Sequence, residues 1–184
     1  MARLPSVTEV LKPFCDFSNV PPDVLAAACT RGDEVHRLTA LYARGLWIDH
    51  VPPEYAGYFQ SAQRWFDKYV VAVHLVEERL TDKALGFTGE PDYIVTLRGD
   101  AGKSLPDLKT PQVGRPSWRV QLSAYRHLAI KAGHEIIRTF ALRPRPDGKL
   151  PTIPPDYEYT GTFHRDFQIF LSALNCHRFF SQEA

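Results

Sequence analysis

Apolar positions repeat with a helical period over much of the first third of the chain and over two later stretches, and between them the period shortens to that of strands. Ser6 and Glu9 form an S-x-x-E capping box ahead of a short helix that Pro13 stops. Pro21-Pro22-Asp23 opens a long helix to about Gly45, with Val24, Leu25, Ala28, Val35, Leu38 and Tyr42 as much of its apolar stripe. Pro52-Pro53-Glu54 opens another to about Tyr69, packed through Tyr55, Tyr58, Phe59, Ala62, Trp65 and Phe66, with Arg64 and Lys68 on its solvated face. Residues 70–77, Gly86–Leu97 and Ser104–Thr110 read as strands, the last two joined by a tight turn over Arg98–Gly102. Pro116-Ser117 caps a helix over 118–132 that Gly133 ends, with Trp118, Leu122, Tyr125, Leu128, Ala129 and Ala132 as its buried stripe. Residues 135–143 read as a returning strand, 144–155 as a Pro/Gly-rich loop that is a candidate for ordering on a partner, and about Phe163–Phe180 as a last helix carrying Phe167, Phe170, Leu171, Leu174 and Phe179 on one face.

This order predicts an α/β fold, a central mixed β-sheet flanked by helices with an N-terminal helical elaboration. The 184 residues suit a single domain, mainly helical over 1–69 and α/β over 70–184. A hydrophobic content of 44% with 23% charged residues is that of a soluble globular chain. The formal net charge of +1 excludes a global basic field, so a polyanionic partner has to be met by a local patch. Cys15, Cys29 and Cys176 are odd in number and widely scattered, which argues against a disulfide framework or structural zinc and for a reducing compartment. With no apolar leader and no membrane-length apolar run, the expectation is a cytoplasmic protein without a membrane partner, in the host cytoplasm if it is phage-encoded.

The candidate chemistry centres on Gly89-Glu90-Pro91-Asp92 and Leu105-Pro106-Asp107-Leu108-Lys109-Thr110. On a strand, Asp107 and Lys109 point to the same face. Two carboxylates with a lysine beside them suit a hard divalent cation and a phosphate, although an Asp-x-Lys triplet by itself is more commonly a salt bridge. Gly32 and His36 lie one helical turn apart, as do Gln121 and Tyr125, and a glutamine at the edge of an apolar stripe needs a hydrogen-bonding partner. Arg115 and Arg119, with Arg126 after them, are candidates for a local basic rim contacting phosphates. Gly102-Lys103-Ser104 is not a phosphate loop, because the first glycine of that motif falls on Leu97 and no helix follows.

Taken together, Gly32-x-x-x-His36, Glu77, Gly89-x-x-Asp92, Asp107-x-Lys109 and Gln121-x-x-x-Tyr125 resemble, in order and approximate spacing, the RecB-type branch of the PD-(D/E)XK nucleases. The resemblance spans residues 31–125, and the flanking helices look like those of compact phage and exonuclease members. It implies that Asp92 and Asp107 ligate Mg²⁺ or Mn²⁺ (one or two ions), with the Leu108 carbonyl and His36 as further ligands. It also implies that Lys109 positions the attacking water and stabilises charge. Glu77 matches the family's glutamate, with Glu78 as the alternative, and Gln121 and Tyr125 match a motif close to the site and the nucleic-acid strand.

Asp107 stands where many relatives have Glu. Three cysteines, against the four of relatives that carry an iron–sulfur cluster, lead to the expectation of no cluster. The implied activity is a metal-dependent deoxyribonuclease hydrolysing phosphodiester bonds. It is most simply an exonuclease acting on single- or double-stranded DNA ends in phage or bacterial recombination, with a recombination protein as a possible partner. The alternatives are a structure-specific endonuclease of the same fold and a non-catalytic DNA-binding or assembly subunit.

Overall fold

The computed structural model describes residues 3–111, 113–151 and 158–181. Its elements are α1 (Val7–Leu11), α2 (Pro22–Ala43), α3 (Pro53–Tyr69), β1 (Val70–Val76), β2 (Leu80–Asp82), β3 (Phe87–Gly89), β4 (Tyr93–Leu97), β5 (Lys103–Leu108), α4 (Pro116–Lys131), β6 (Ile136–Leu142) and α5 (Phe163–Ser181). Four strands form a mixed central sheet in the order β1-β4-β5-β6, flanked by helices, so the α/β class holds. β1, β4 and β5 pair antiparallel, and β5 pairs parallel with β6, the connection being α4. No helix among the described residues is long and apolar enough to cross a membrane.

Alternation along the strands fills two cores. Leu75, Ile94, Leu105 and Ile136 face α4, α5 and α1 through Leu122, Leu128, Phe170 and Val10. Val76, Tyr93, Val95, Leu108 and Phe140 face α3 and α2 through Trp65, Phe66 and Val35. The α1 capping box is present, with Ser6 Oγ accepting from Glu9 N and Ser6 N donating to Glu9 Oε2 at 2.8 Å. Gly133, at φ +88°, ends the helical run of α4.

Several expectations fail for identifiable reasons. Gly86–Leu97 is two strands rather than one. The chain turns at Glu90-Pro91-Asp92, and β3 pairs with β2, a strand absent from the sequence reading, in a separate two-stranded hairpin. The first strand stops at Val76 because Glu77 adopts φ +48°, and the third stops at Leu108, short of Thr110. On α2, Val24 is exposed and Leu25 and Ala28 are only half-buried, so the buried stripe begins at Val35. Ala132 and Phe179 are also exposed. The N-cap of α4 is Arg115, which makes no side-chain cap, and Ser117 lies inside the helix. Residues 144–151 are held against α3: Arg145 N donates to Ser61 Oγ at 2.8 Å and Ser61 Oγ donates to the Lys149 carbonyl at 2.5 Å. Residues 152–155 of the expected loop lie outside the described residues.

Candidate active site

The hairpin of β2 and β3 leaves the sheet at Glu77 and returns at Asp92, so the two residues are 15 apart in sequence and joined by a backbone hydrogen bond, Glu77 N to Asp92 O at 3.0 Å. Asp92 then opens β4 while Asp107 sits near the end of β5, the neighbouring strand, and both are buried. The Leu108 N–H donates to Asp92 Oδ2 at 2.6 Å, tying the two acidic segments together. Lys109 lies just past the end of β5, with its N–H bonded to the Leu142 carbonyl at 2.8 Å and its Nζ in ion-pair contact with Asp107. The shared face expected for Asp107 and Lys109 is therefore present.

Lys109 Nζ also donates to Gln121 Oε1 at 3.1 Å, and Gln121 Nε2 donates to the Tyr125 hydroxyl at 3.1 Å. The partner that Gln121 needed is thus the lysine at the end of the sheet. From α2, His36 places Nδ1 3.4 Å from Asp92 Oδ1 and Nε2 2.9 Å from the Leu108 carbonyl. One turn earlier a Cβ on Gly32 would stand 3.8 Å from Thr110 Oγ1, so α2 meets the segment after β5 at this glycine.

Charge and burial set the protonation states. Burial disfavours a charged His36, but the Asp92 carboxylate outweighs it and pushes the imidazole up to about 9. Burial acts to raise Asp92 as well, yet His36, Lys109 and the Leu108 N–H hold its carboxyl below the usual range. Asp107 is the opposite case: burial dominates and lifts it to about 6, although Lys109 pulls the other way. Lys109 loses to burial and gains more from Asp107 and Asp92, so its ammonium is raised above its ordinary value. Burial, then Asp92, raises Glu77, and burial, then Asp107, raises the Tyr125 hydroxyl.

Beside these groups lies a cleft of about 790 Å³ between α2, the β2–β3 hairpin and the segment after β5, with Asp92, Asp107 and Gln121 behind its lining. His36, Glu77, Leu108, Lys109 and Tyr125 line it, and Glu77 rather than the exposed Glu78 is the glutamate brought there. Arg37 and Arg79 line it too, although the sequence reading did not single them out. Arg44 also escaped it; its guanidinium donates to the Val76 carbonyl at 2.7 Å and comes within 4.0 Å of Glu77. The expected basic rim is directed elsewhere. Arg115 donates to the Asp16 carbonyl and lies 4.2 Å over the Phe17 ring, Arg119 bonds the buried Asp166 at 3.0 Å, and Arg126 donates to the carbonyls of Thr160 and Ile136.

The donor set bears on a cation in two ways. Both Asp107 oxygens are buried; one contacts Lys109, and neither accepts a well-directed hydrogen bond among the described residues. Together with Asp92 and the Leu108 carbonyl, this is the oxygen-rich set that hard cations take. Against it, no group of three or more His, Cys, Asp and Glu side chains among the described residues is arranged to hold an ion. His36 bridges Asp92 and the Leu108 carbonyl and so stands between two of the oxygen donors. The oxygen donors fit, and His36 joins them only by giving up a proton.

No protein-family model matches the chain, and no curated protein matches it.

Proposed function

We propose that the chain is a metal-dependent DNA nuclease of the PD-(D/E)XK type, hydrolysing phosphodiester bonds and acting as an exonuclease without sequence readout. The observation that carries the reading is the convergence of Asp92, Asp107 and Lys109 at the ends of two adjacent strands, with Gln121 and Tyr125 behind the lysine and Glu77 beside the cleft. A buried carboxylate with an oxygen lacking a donor is costly to keep unless a cation answers it.

Asp92, Asp107 and the Leu108 carbonyl would hold Mg²⁺ or Mn²⁺. Such an ion supplies a lowered water pKa and neutralises phosphate charge. The chain's own groups do the rest. Asp107 keeps Lys109 charged within a buried setting, and Gln121 fixes the direction of its ammonium, so a cation stands preorganised where charge develops on a phosphate oxygen. Tyr125 holds Gln121 through its hydroxyl and presents part of its buried ring to the cleft wall. The Asp92 bond to Leu108 N fixes the spacing of the two carboxylate segments.

A second reading, a non-catalytic DNA-binding subunit, has one observation in its favour: His36 stands 3.4 Å from Asp92 and partners this carboxylate without any ion. Incubating the protein with end-labelled linear DNA and with circular single-stranded DNA, each in Mg²⁺, Mn²⁺ or chelator, separates the readings. Metal-dependent loss of linear DNA alone supports the exonuclease, loss of circles the endonuclease, and binding without cleavage the subunit.

A further inference from the structure

The cations of the cleft are closely matched by carboxylates, although the site must receive a polyanion. Asp33, Glu77 and Glu90 line it, with Asp92 and Asp107 behind them, and its cations are all engaged. Lys109 is ion-paired with Asp107 and only 15% exposed, and His36 is held on Asp92 at 27%. Arg37 is gripped by Glu34 one turn away on its own helix, through contacts of 2.9 and 2.6 Å. Arg79 differs. It is the most exposed of these cations, at 62%, and its partner comes from beside the opposite strand of the hairpin.

The geometry of that pair is set by the register. Leu80 pairs with Gly89 at the base of the β2–β3 hairpin, so Arg79 and Glu90 are the next opposed positions, and Arg79 Nε lies 2.8 Å from Glu90 Oε1. On the other side, two residues away along each strand of chain, stand Glu77 and Asp92, joined by their backbone hydrogen bond. Arg79 therefore lines the cleft close in sequence to Glu77, on a partner that is itself half-exposed at 48%.

We propose that Arg79 is a phosphate-binding residue of the cleft, held in reserve by Glu90 and transferred to the DNA backbone when a strand enters. The inference rests on the DNA reading above. A guanidinium matches carboxylate and phosphate alike with parallel N–H donors, so the exchange conserves its hydrogen bonds while replacing one anion by another. Glu90 then turns to solvent, at a small cost because exposed ion pairs are weak. The hairpin positions the arginine, and Glu90 keeps the empty cleft from presenting an unpaired cation to other anions.

The proposal fixes opposite signs for two single substitutions. Equilibrium binding of a short labelled duplex, and of its single strand, is measured across a salt series with Ca²⁺ replacing the catalytic cation. Arg79→Gln weakens binding and flattens the dependence of log K on log salt by about 0.9 on duplex or about 0.7 on single strand, one phosphate contact. Glu90→Gln tightens binding by up to about fivefold, the cost of breaking one exposed pair, with the slope kept. In the Arg79→Gln background the Glu90→Gln gain disappears. Thermal unfolding midpoints of the variants close to the parent's show that the fold is kept. Glu90→Gln that binds no tighter, or Arg79→Gln that leaves the slope unchanged, overturns the inference while leaving the nuclease reading in place. A parent chain that binds neither DNA overturns both.

Discussion

His36 Nδ1 stands 3.4 Å from Asp92 Oδ1 while its other ring nitrogen meets the Leu108 carbonyl at 2.9 Å, an arrangement that asks both nitrogens to donate and keeps the ring charged. The group's pKa rises from 6.5 to about 9 in the folded chain. Its stabilising contribution is therefore complete below about pH 6.5 and is lost as the pH rises through 9. Unfolding free energy followed by denaturant titration should fall across that window in the parent and be flatter in His36→Gln. Equal slopes in the two proteins would show that the imidazolium contributes nothing.

The same proton competes with any ion that takes His36 as a ligand. Mn²⁺ affinity, measured by calorimetry, should rise with pH between 6.5 and 9 and release close to one proton in the lower part of that range. In His36→Gln most of that release should be lost, leaving only the small share from Asp107 near pH 6.5. A pH-independent affinity in the parent would remove His36 from the ligand set.

In the proposed centre Lys109 and the carboxylates would have different jobs, which kinetics can separate. Lys109→Ala should slow single-turnover cleavage by on the order of 10²-fold or more and leave metal affinity nearly intact, since the ammonium acts on charge that develops later. Tyr125→Phe removes only the hydroxyl that accepts from Gln121, so the loss should be near fivefold, about one hydrogen bond. If Lys109→Ala abolishes metal binding, the lysine is a structural partner of the acidic pair.

Two glycines test the packing around the site. A Cβ on Gly89 would come within 2.8 Å of the Tyr125 ring and 2.9 Å of Leu128, both buried on α4. Gly89→Ala should cost about 1–3 kcal/mol by overpacking and disturb Tyr125. On Gly57, inside α3, the Cβ would fall 1.8 Å from the Pro146 carbonyl oxygen, a backbone atom that cannot rotate away. Gly57→Ala gains about 1 kcal/mol of helix propensity and should still destabilise more than Gly89→Ala. A thermal unfolding series giving the reverse order would contradict this packing.

Long periodic segments were legible in the sequence because their stripes found partners: α3 buries Phe59, Ala62, Trp65 and Phe66 as its spacing predicts. The first half of α2 has the same kind of stripe but little of the chain covers it, and periodicity reports an apolar face, not what lies against it. The β2–β3 hairpin was missed because three-residue strands rich in polar side chains carry too little alternation to register, and with it the pairing of Arg79 and Glu90 was hidden.

Asp107, Lys109, Gln121 and Tyr125 were read from spacing, and the structure joins them in one chain of contacts. Arg119 was not. It lies two positions before Gln121, and on a helix residues two apart face different sides, so it bonds Asp166 while Gln121 turns to Lys109. Arg115 at the N-cap is likewise spent on Asp16 and Phe17.

If Asp92 and Asp107 form the proposed cation-dependent hydrolytic centre on DNA, Asp107→Asn should silence it, because it removes one negative charge at nearly constant volume. Cleavage of end-labelled linear DNA in Mg²⁺ or Mn²⁺ is compared between this variant and the parent, with chelator as control. The parent should shorten the DNA in a metal-dependent way and not in chelator, and Asp107→Asn should not shorten it although it remains folded. Parent-level cleavage by Asp107→Asn, or no cleavage by the parent under any of these metals, would contradict the proposed centre.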